Sequence, residues 1–202
     1  MNIIFDIGNV LLTFRPREYL QSLFADSDVV DLYQDVIFGS SLWLDLDRGI
    51  TSEEEVVGQL SVCYPGHAQG IRQVFAHWHS MLEPMEDSLR LLHELKEKGY
   101  KLYALSNFHR EAFHHVREKF SWFGLFDGMV ISYEINSIKP EPEIYQTLID
   151  RYGLDPEKSV FIDDVEANLV GARALGFSTI EFKSAEGLTR DLGRLLESGT
   201  NS

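Results

Sequence analysis

Apolar and polar positions follow two different periods along the chain. Asn2 to Asp6 is a short apolar run closed by Gly8-Asn9, the pattern of a buried strand ending in a turn. From Met85 the period changes: Leu89, Leu92 and Leu95 make one stripe, Leu91 lies beside it, and Gly99 stands where a helix would stop. Strands are then predicted at Tyr100 to Leu105, Met129 to Ser132, Ser159 to Ile162 and Ser178 to Phe182. Helices alternate with them near Glu111 to Lys119, Glu143 to Tyr152 and Glu166 to Leu175. This βαβα order predicts an α/β fold with a mostly parallel sheet covered on both faces. Ligands bind such sheets beyond the carboxyl ends of the strands.

The stretch between the first strand and the Met85 helix is far longer than the dozen or so residues a crossover needs. Tyr19, Leu20, Leu23 and Phe24 suggest one helix there, and Val29, Leu32, Tyr33 and Val36 a second. Ser52 with Glu55 makes a capping box before a third, and Ile71, Val74, Phe75, Trp78 and Leu82 mark a fourth. These define a helical cap over residues 15–83, inserted into a core of residues 1–14 and 84–202. Without a Pro/Ser linker the cap is expected to pack on the core, and the tail from Ser198 onward is expected to fray.

Composition narrows the class. With 202 residues, 44% hydrophobic and 25% charged, the chain can bury a stable core unaided, so a metal would serve chemistry. Eighteen Lys and Arg against 32 Asp and Glu leave a net charge of −14, which argues against nucleic acid or an anionic membrane as partner. Cys63, the single cysteine, excludes an internal disulfide and reads as a small core residue. The first residues lack a basic signal-peptide region and no apolar run is long enough to span a bilayer, so a soluble, cytoplasmic protein is expected.

Asp6 follows the first strand, Ser106-Asn107 the second, Lys139 lies beyond the third, and Asp163-Asp164 follow the fourth. In a parallel sheet these ends share one edge, so distant side chains would converge on one pocket. Three carboxylates together repel one another unless a cation is bound, and hard oxygen ligands suit Mg²⁺. With Mg²⁺ and Lys139 present, a phosphate dianion can be held, the Ser106 hydroxyl donating to its oxygens. Asp6 is then placed to attack phosphorus, passing through an aspartyl-phosphate that water hydrolyses. The expected partner is a small phosphorylated metabolite. Adjacent strand residues point to opposite faces, so only one of Asp163 and Asp164 would ligate directly unless the chain is already turning; Asp164 is favoured.

Phe5-Asp6-Ile7-Gly8-Asn9-Val10-Leu11, Leu105-Ser106-Asn107, Ile138-Lys139-Pro140-Glu141 and Phe161-Ile162-Asp163-Asp164 resemble the four motifs of the haloacid dehalogenase-like hydrolase superfamily in order, spacing and strand context. The resemblance covers nearly the whole chain. Asp47-Arg48-Gly49-Ile50-Thr51-Ser52-Glu53-Glu54 is similar to that family's cap loop and following helix start. The resemblance implies a Rossmann-like core with a helical cap and a Mg²⁺-dependent phosphatase. In it Asp6 is the nucleophile, Lys139 serves catalysis, and Ser106, Asn107 and Lys139 bind the phosphoryl group. The metal would be held by Asp6, the Gly8 carbonyl and Asp164, with Asp163 beside it.

The pattern breaks at Gly8, where most phosphatases of the family carry a second Asp. That residue is the general acid and base, a role worth roughly 10²–10⁴-fold. A Gly-Asn pair there also resembles a branch that includes bacterial α-D-glucose-1-phosphate phosphatases, so an activated ester such as a sugar 1-phosphate is expected. The alternatives are a 2-haloacid dehalogenase, which also lacks the second Asp but needs no Mg²⁺, and a phosphate-binding or regulatory module with weak catalysis.

Other residues have blander readings. Asn9 and His109 are candidates to assist the leaving group but read first as turn or surface residues, and Asn168 either orients a carboxylate or Lys139 or is a satisfied helix amide. His77, His79, His114 and His115 lack metal spacing and read as surface or packing groups. Trp43, Asp45, Asp47 and Arg48 are candidate loop contacts from cap to substrate, and Arg15-Pro16-Arg17 is a cap hinge or a basic rim.

Overall fold

A computed structural model describes residues 1–199. Five parallel strands, β1 (Asn2–Phe5), β2 (Lys101–Ser106), β3 (Gly128–Ile131), β4 (Ser159–Asp163) and β5 (Ser178–Glu181), lie in the order β3-β2-β1-β4-β5. Central β1 pairs Phe5 with Ala104 on one side and Ile162 on the other. The strand order reverses about β1, which opens a crevice beyond its carboxyl end.

Between β1 and the rest of the sheet come α1 (Pro16–Leu23), α2 (Ser27–Tyr33), α3 (Ser41–Arg48), α4 (Glu53–Cys63) and α5 (Ala68–His77). Then follow α6 (Glu86–Glu97), α7 (Arg110–Lys119), α8 (Ser132–Ile135), α9 (Pro142–Tyr152), α10 (Glu166–Arg173) and α11 (Ala185–Gly199). The period-2 pattern of β1 divides the layers. Ile3 and Phe5 pack with α6, α7 and α11, while Ile4 packs with α9 and α10.

Local chemistry starts several of these helices. Ser52 accepts from the Glu55 N–H and the Glu55 carboxylate accepts from the Ser52 N–H at 2.9 Å, the capping box read in the sequence. Pro16 opens α1 at its first turn, and Arg15 and Arg17 are paired with Glu18 and Asp31. That segment is a helix start whose charges are spent, rather than a basic rim.

The structure corrects the sequence reading elsewhere. Helix α3 forms where no helix is predicted, Ser132 opens α8 instead of closing β3, and α11 runs through Ser198 to Gly199. The rest of the tail expected to fray lies outside the described residues. Cys63 is exposed at the end of α4 rather than buried in the core.

Helices α1–α5 leave and rejoin the sheet through two crossing segments. The Thr13 N–H donates to the Glu83 carbonyl and the Met85 N–H to the Leu11 carbonyl, both at 2.9 Å. One continuous apolar cluster runs from Ile3 and Phe5 through Trp43 and Trp78 to Leu92, so these helices pack on the sheet layer rather than hang from it. Among the described residues no helix is long and apolar enough to cross a membrane.

Candidate active site

β1 ends one residue before Asp6, which puts that carboxylate in the crevice. Ser106 Oγ donates to Asp6 Oδ1 at 2.7 Å. Lys139 Nζ stands 2.9 Å from the same oxygen and 2.6 Å from Asp163 Oδ2. All four side chains are buried, and residues far apart in sequence meet beyond the carboxyl edge of the sheet.

Side-chain amides hold this floor in place. Asn107 clamps the Lys139 backbone, accepting from its N–H at 2.7 Å and donating to its carbonyl at 3.1 Å. Asn168 Nδ2 donates to both Asp163 oxygens at 3.0 and 3.1 Å, so its role is to orient that carboxylate. Asn9, with φ 52°, makes the turn expected of it and also donates to Asp164 Oδ2 at 3.1 Å.

Because β4 ends at Asp163, the chain is already turning at Asp164, and both acids face one space. Asp6, Asp163 and Asp164 each present an oxygen within 4.8 Å of the others. Asp163 is the more committed of the pair: Lys139 holds Oδ2, the Val165 N–H donates to Oδ1, and Asn168 contacts both.

Burial, opposed by Lys139 and reinforced by Asp163, pushes the Asp6 carboxyl up to about 7. Burial likewise raises Asp164. For the Lys139 ammonium burial acts downward, but the charges of Asp6 and Asp163 outweigh it and its pKa is raised. Three carboxylates facing one ammonium leave a local excess of negative charge. Their hard oxygens fit a divalent cation of the magnesium type. Gly8 lines the same cavity, and a Cβ there would meet nothing within 4 Å.

Above this floor is a cavity of about 190 Å³. Trp43 and Asp47 reach it, but Asp45 and Arg48 do not, and all four belong to α3 rather than to a loop. Arg48 instead forms a two-pronged pair with Glu141 at 2.7 and 2.6 Å. Gly49, at φ 76°, ends α3 against Tyr133; a Cβ there would lie 2.6 Å from the Tyr133 carbonyl oxygen.

His109 is not a surface residue. It is 1% exposed, with Nδ1 3.3 Å from Asp47 and Nε2 3.1 Å from Glu53. Burial acts to lower its pKa, but the two carboxylates win and lift it to about 9. Burial opposes ionisation of Glu53, yet hydrogen bonds from His109 and its neighbours hold it down at about 2. His79 Nε2 lies 3.5 Å from the same Glu53, and its ring stacks on His115 at 5.1 Å. Glu53, His79 and His109 thus gather three ligand-type atoms within 4.8 Å, but both His109 nitrogens are already matched to carboxylates. The available signal for His109 was its place three residues beyond the end of β2.

The profile of a family described as haloacid dehalogenase-like hydrolase matches residues 1–176. The chain belongs to this family. It is 27% identical over 195 residues to sesquiterpene phosphatase astK of Aspergillus oryzae, spanning 96% of this chain and 95% of the relative. It is 26% identical over 211 residues to a D-ribitol-5-phosphate phosphatase of Bacteroides thetaiotaomicron, spanning 98% of each. A haloacid dehalogenase family enzyme of that bacterium, solved with magnesium and inorganic phosphate, has a TM-score of 0.71 at 28% identity, covering 90% of this chain and 93% of that one. This haloacid dehalogenase-like hydrolase is an enzyme of the phosphatase type.

Proposed function

We propose that the protein hydrolyses a small phosphomonoester through an aspartyl-phosphate on Asp6, with Mg²⁺ as cofactor. The observation that carries this reading is Asp6 held between the Ser106 hydroxyl and the Lys139 ammonium at the end of the central strand. The Asp6 carboxylate attacks phosphorus, the ester oxygen leaves, and water then cleaves the acyl-phosphate at phosphorus. Lys139 and Ser106 donate to the phosphoryl oxygens, while Asn107 fixes Lys139. Asp6, Asp164 and the Gly8 carbonyl would hold the metal, with Asp163 alongside, and the ion would neutralise charge on the phosphoryl group. The magnesium and phosphate in the solved relative support that assignment.

Gly8 supplies no side-chain acid, so the ester is one whose oxygen leaves without strong protonation, as the anomeric oxygen of a sugar 1-phosphate does. Residues 15–83 act as a cap over the site, and a cytoplasmic location suits the single exposed thiol. The three-carboxylate cluster favours a phosphatase over a metal-independent dehalogenase. A panel of phosphomonoesters, assayed with and without Mg²⁺ beside a haloacid control, tests the reading. Mg²⁺-dependent phosphate release is expected; halide release, or no release from any ester, contradicts it.

A further inference from the structure

The walls of the cavity carry information that the catalytic floor does not. Phe14, Trp43, Trp78, Leu82, Phe108 and Val165 surround the space above Asp6. Trp43 is their hub, with ring centres 5.9 Å from Phe14, 5.0 Å from Trp78 and 5.1 Å from His109. Val165, at the start of α10, keeps 46% of its surface exposed although it is large and apolar.

Most of the polar side chains that share the cavity already have hydrogen bonds within the protein. Asn9 is held by Asp164 and the Phe14 N–H, and Asn107 by both backbone groups of Lys139. The Asn168 amide nitrogen is spent on Asp163. Asp47 and His109 are paired with one another, His109 also with Glu53, and the Trp78 indole N–H donates to Glu53 at 2.9 Å. A polyhydroxylated group entering here would lose water and find few free partners. An apolar group would gain by burial against the rings.

We infer that the substrate's leaving group is apolar and about one ring in size, a phenol or similarly activated apolar alcohol rather than a sugar. This rests on the phosphomonoester hydrolysis proposed above and puts an apolar activated ester in place of the sugar 1-phosphate. It also agrees with Gly8, since a phenolic oxygen leaves with little help from an acid.

Non-hydrolysable phosphonates test the inference without requiring turnover. With Mg²⁺ present, benzylphosphonate should bind at least about tenfold more tightly than methylphosphonate by calorimetry, and 2,3-dihydroxypropylphosphonate should show no such gain. Phe14→Ala, at a half-buried position on the cavity wall, should reduce the benzyl-over-methyl preference about fivefold, with circular dichroism confirming that it folds. Tighter binding of the dihydroxypropyl compound, or equal affinity for all three, overturns the inference. Phosphate release from acetyl phosphate, which has almost no leaving group to recognise, reports on the hydrolase reading separately. If that release is absent while the benzyl preference persists, the hydrolase reading fails and the apolar pocket stands.

Discussion

In the proposed reaction Lys139 and Gly8 set the chemistry, one by what it would donate and the other by what it lacks. Among the described residues Lys139 is the only ammonium between Asp6 and Asp163, at 2.9 and 2.6 Å, so Lys139→Ala removes the charge that compensates them. Without metal that variant should lose about 3–5 kcal/mol in urea unfolding, and its kcat/KM should fall as well. Wild-type stability in that variant would show that the cluster does not depend on this cation. Gly8 has free space where a Cβ would sit. Gly8→Asp is therefore expected to raise kcat/KM for alkyl phosphates with poor leaving groups by about 10-fold or more, and to change phenyl phosphate little. A uniform change across the leaving-group series would mean that the missing acid is not what limits the enzyme. Asp6, Ser106, Asp163 and Asp164 were legible because each falls at a strand end, and Lys139 because it lies in the loop beyond the third strand; a parallel sheet brings these together at one edge. The tie between His109 and Glu53 was not legible: 56 residues separate them, and only the folded chain brings the start of α4 to the start of α7.

Among the elements, α3 joins the inserted helices to the sheet layer. Its last turn carries Asp47 against His109 and Arg48 against Glu141, and Ser132 Oγ donates to the Asp47 carbonyl. The segment escaped the sequence reading because only Trp43 and Leu46 of its apolar residues are buried, too few to set a helical period. The His109 pairing gives the junction a pH dependence of definite sign. A histidine raised to about 9 contributes stability that is complete below its unfolded value near 6.5 and is lost as pH rises through 9. Asp47, Glu53 and His79 are the charged and titratable side chains facing it. Unfolding free energy should fall between pH 6.5 and 9 by up to about 3 kcal/mol in the wild type, and by clearly less in His109→Gln. Parallel curves for the two proteins would show that the imidazolium does not hold this junction.

Taken whole, the molecule places the Asp6 carboxylate where the central strand of a reversing sheet runs out, below a cavity lined partly by the inserted helices. The parallel sheet and its two helix layers follow from the alternation of periods in the sequence. The aromatic wall could not be read there, because Phe14, Trp43, Trp78 and Phe108 come from four segments whose mutual position is set by packing alone. The proposed reaction comes down to one atom pair, the Asp6 oxygen and the substrate phosphorus. Rapid acid quench of the enzyme with Mg²⁺ and phenyl phosphate, followed by mass spectrometry of the peptide containing Asp6, examines that bond itself. A phosphoryl adduct on Asp6 that needs Mg²⁺ and disappears in Asp6→Asn is the expected result. Undiminished phosphate release by Asp6→Asn, or an adduct on another residue, would contradict it.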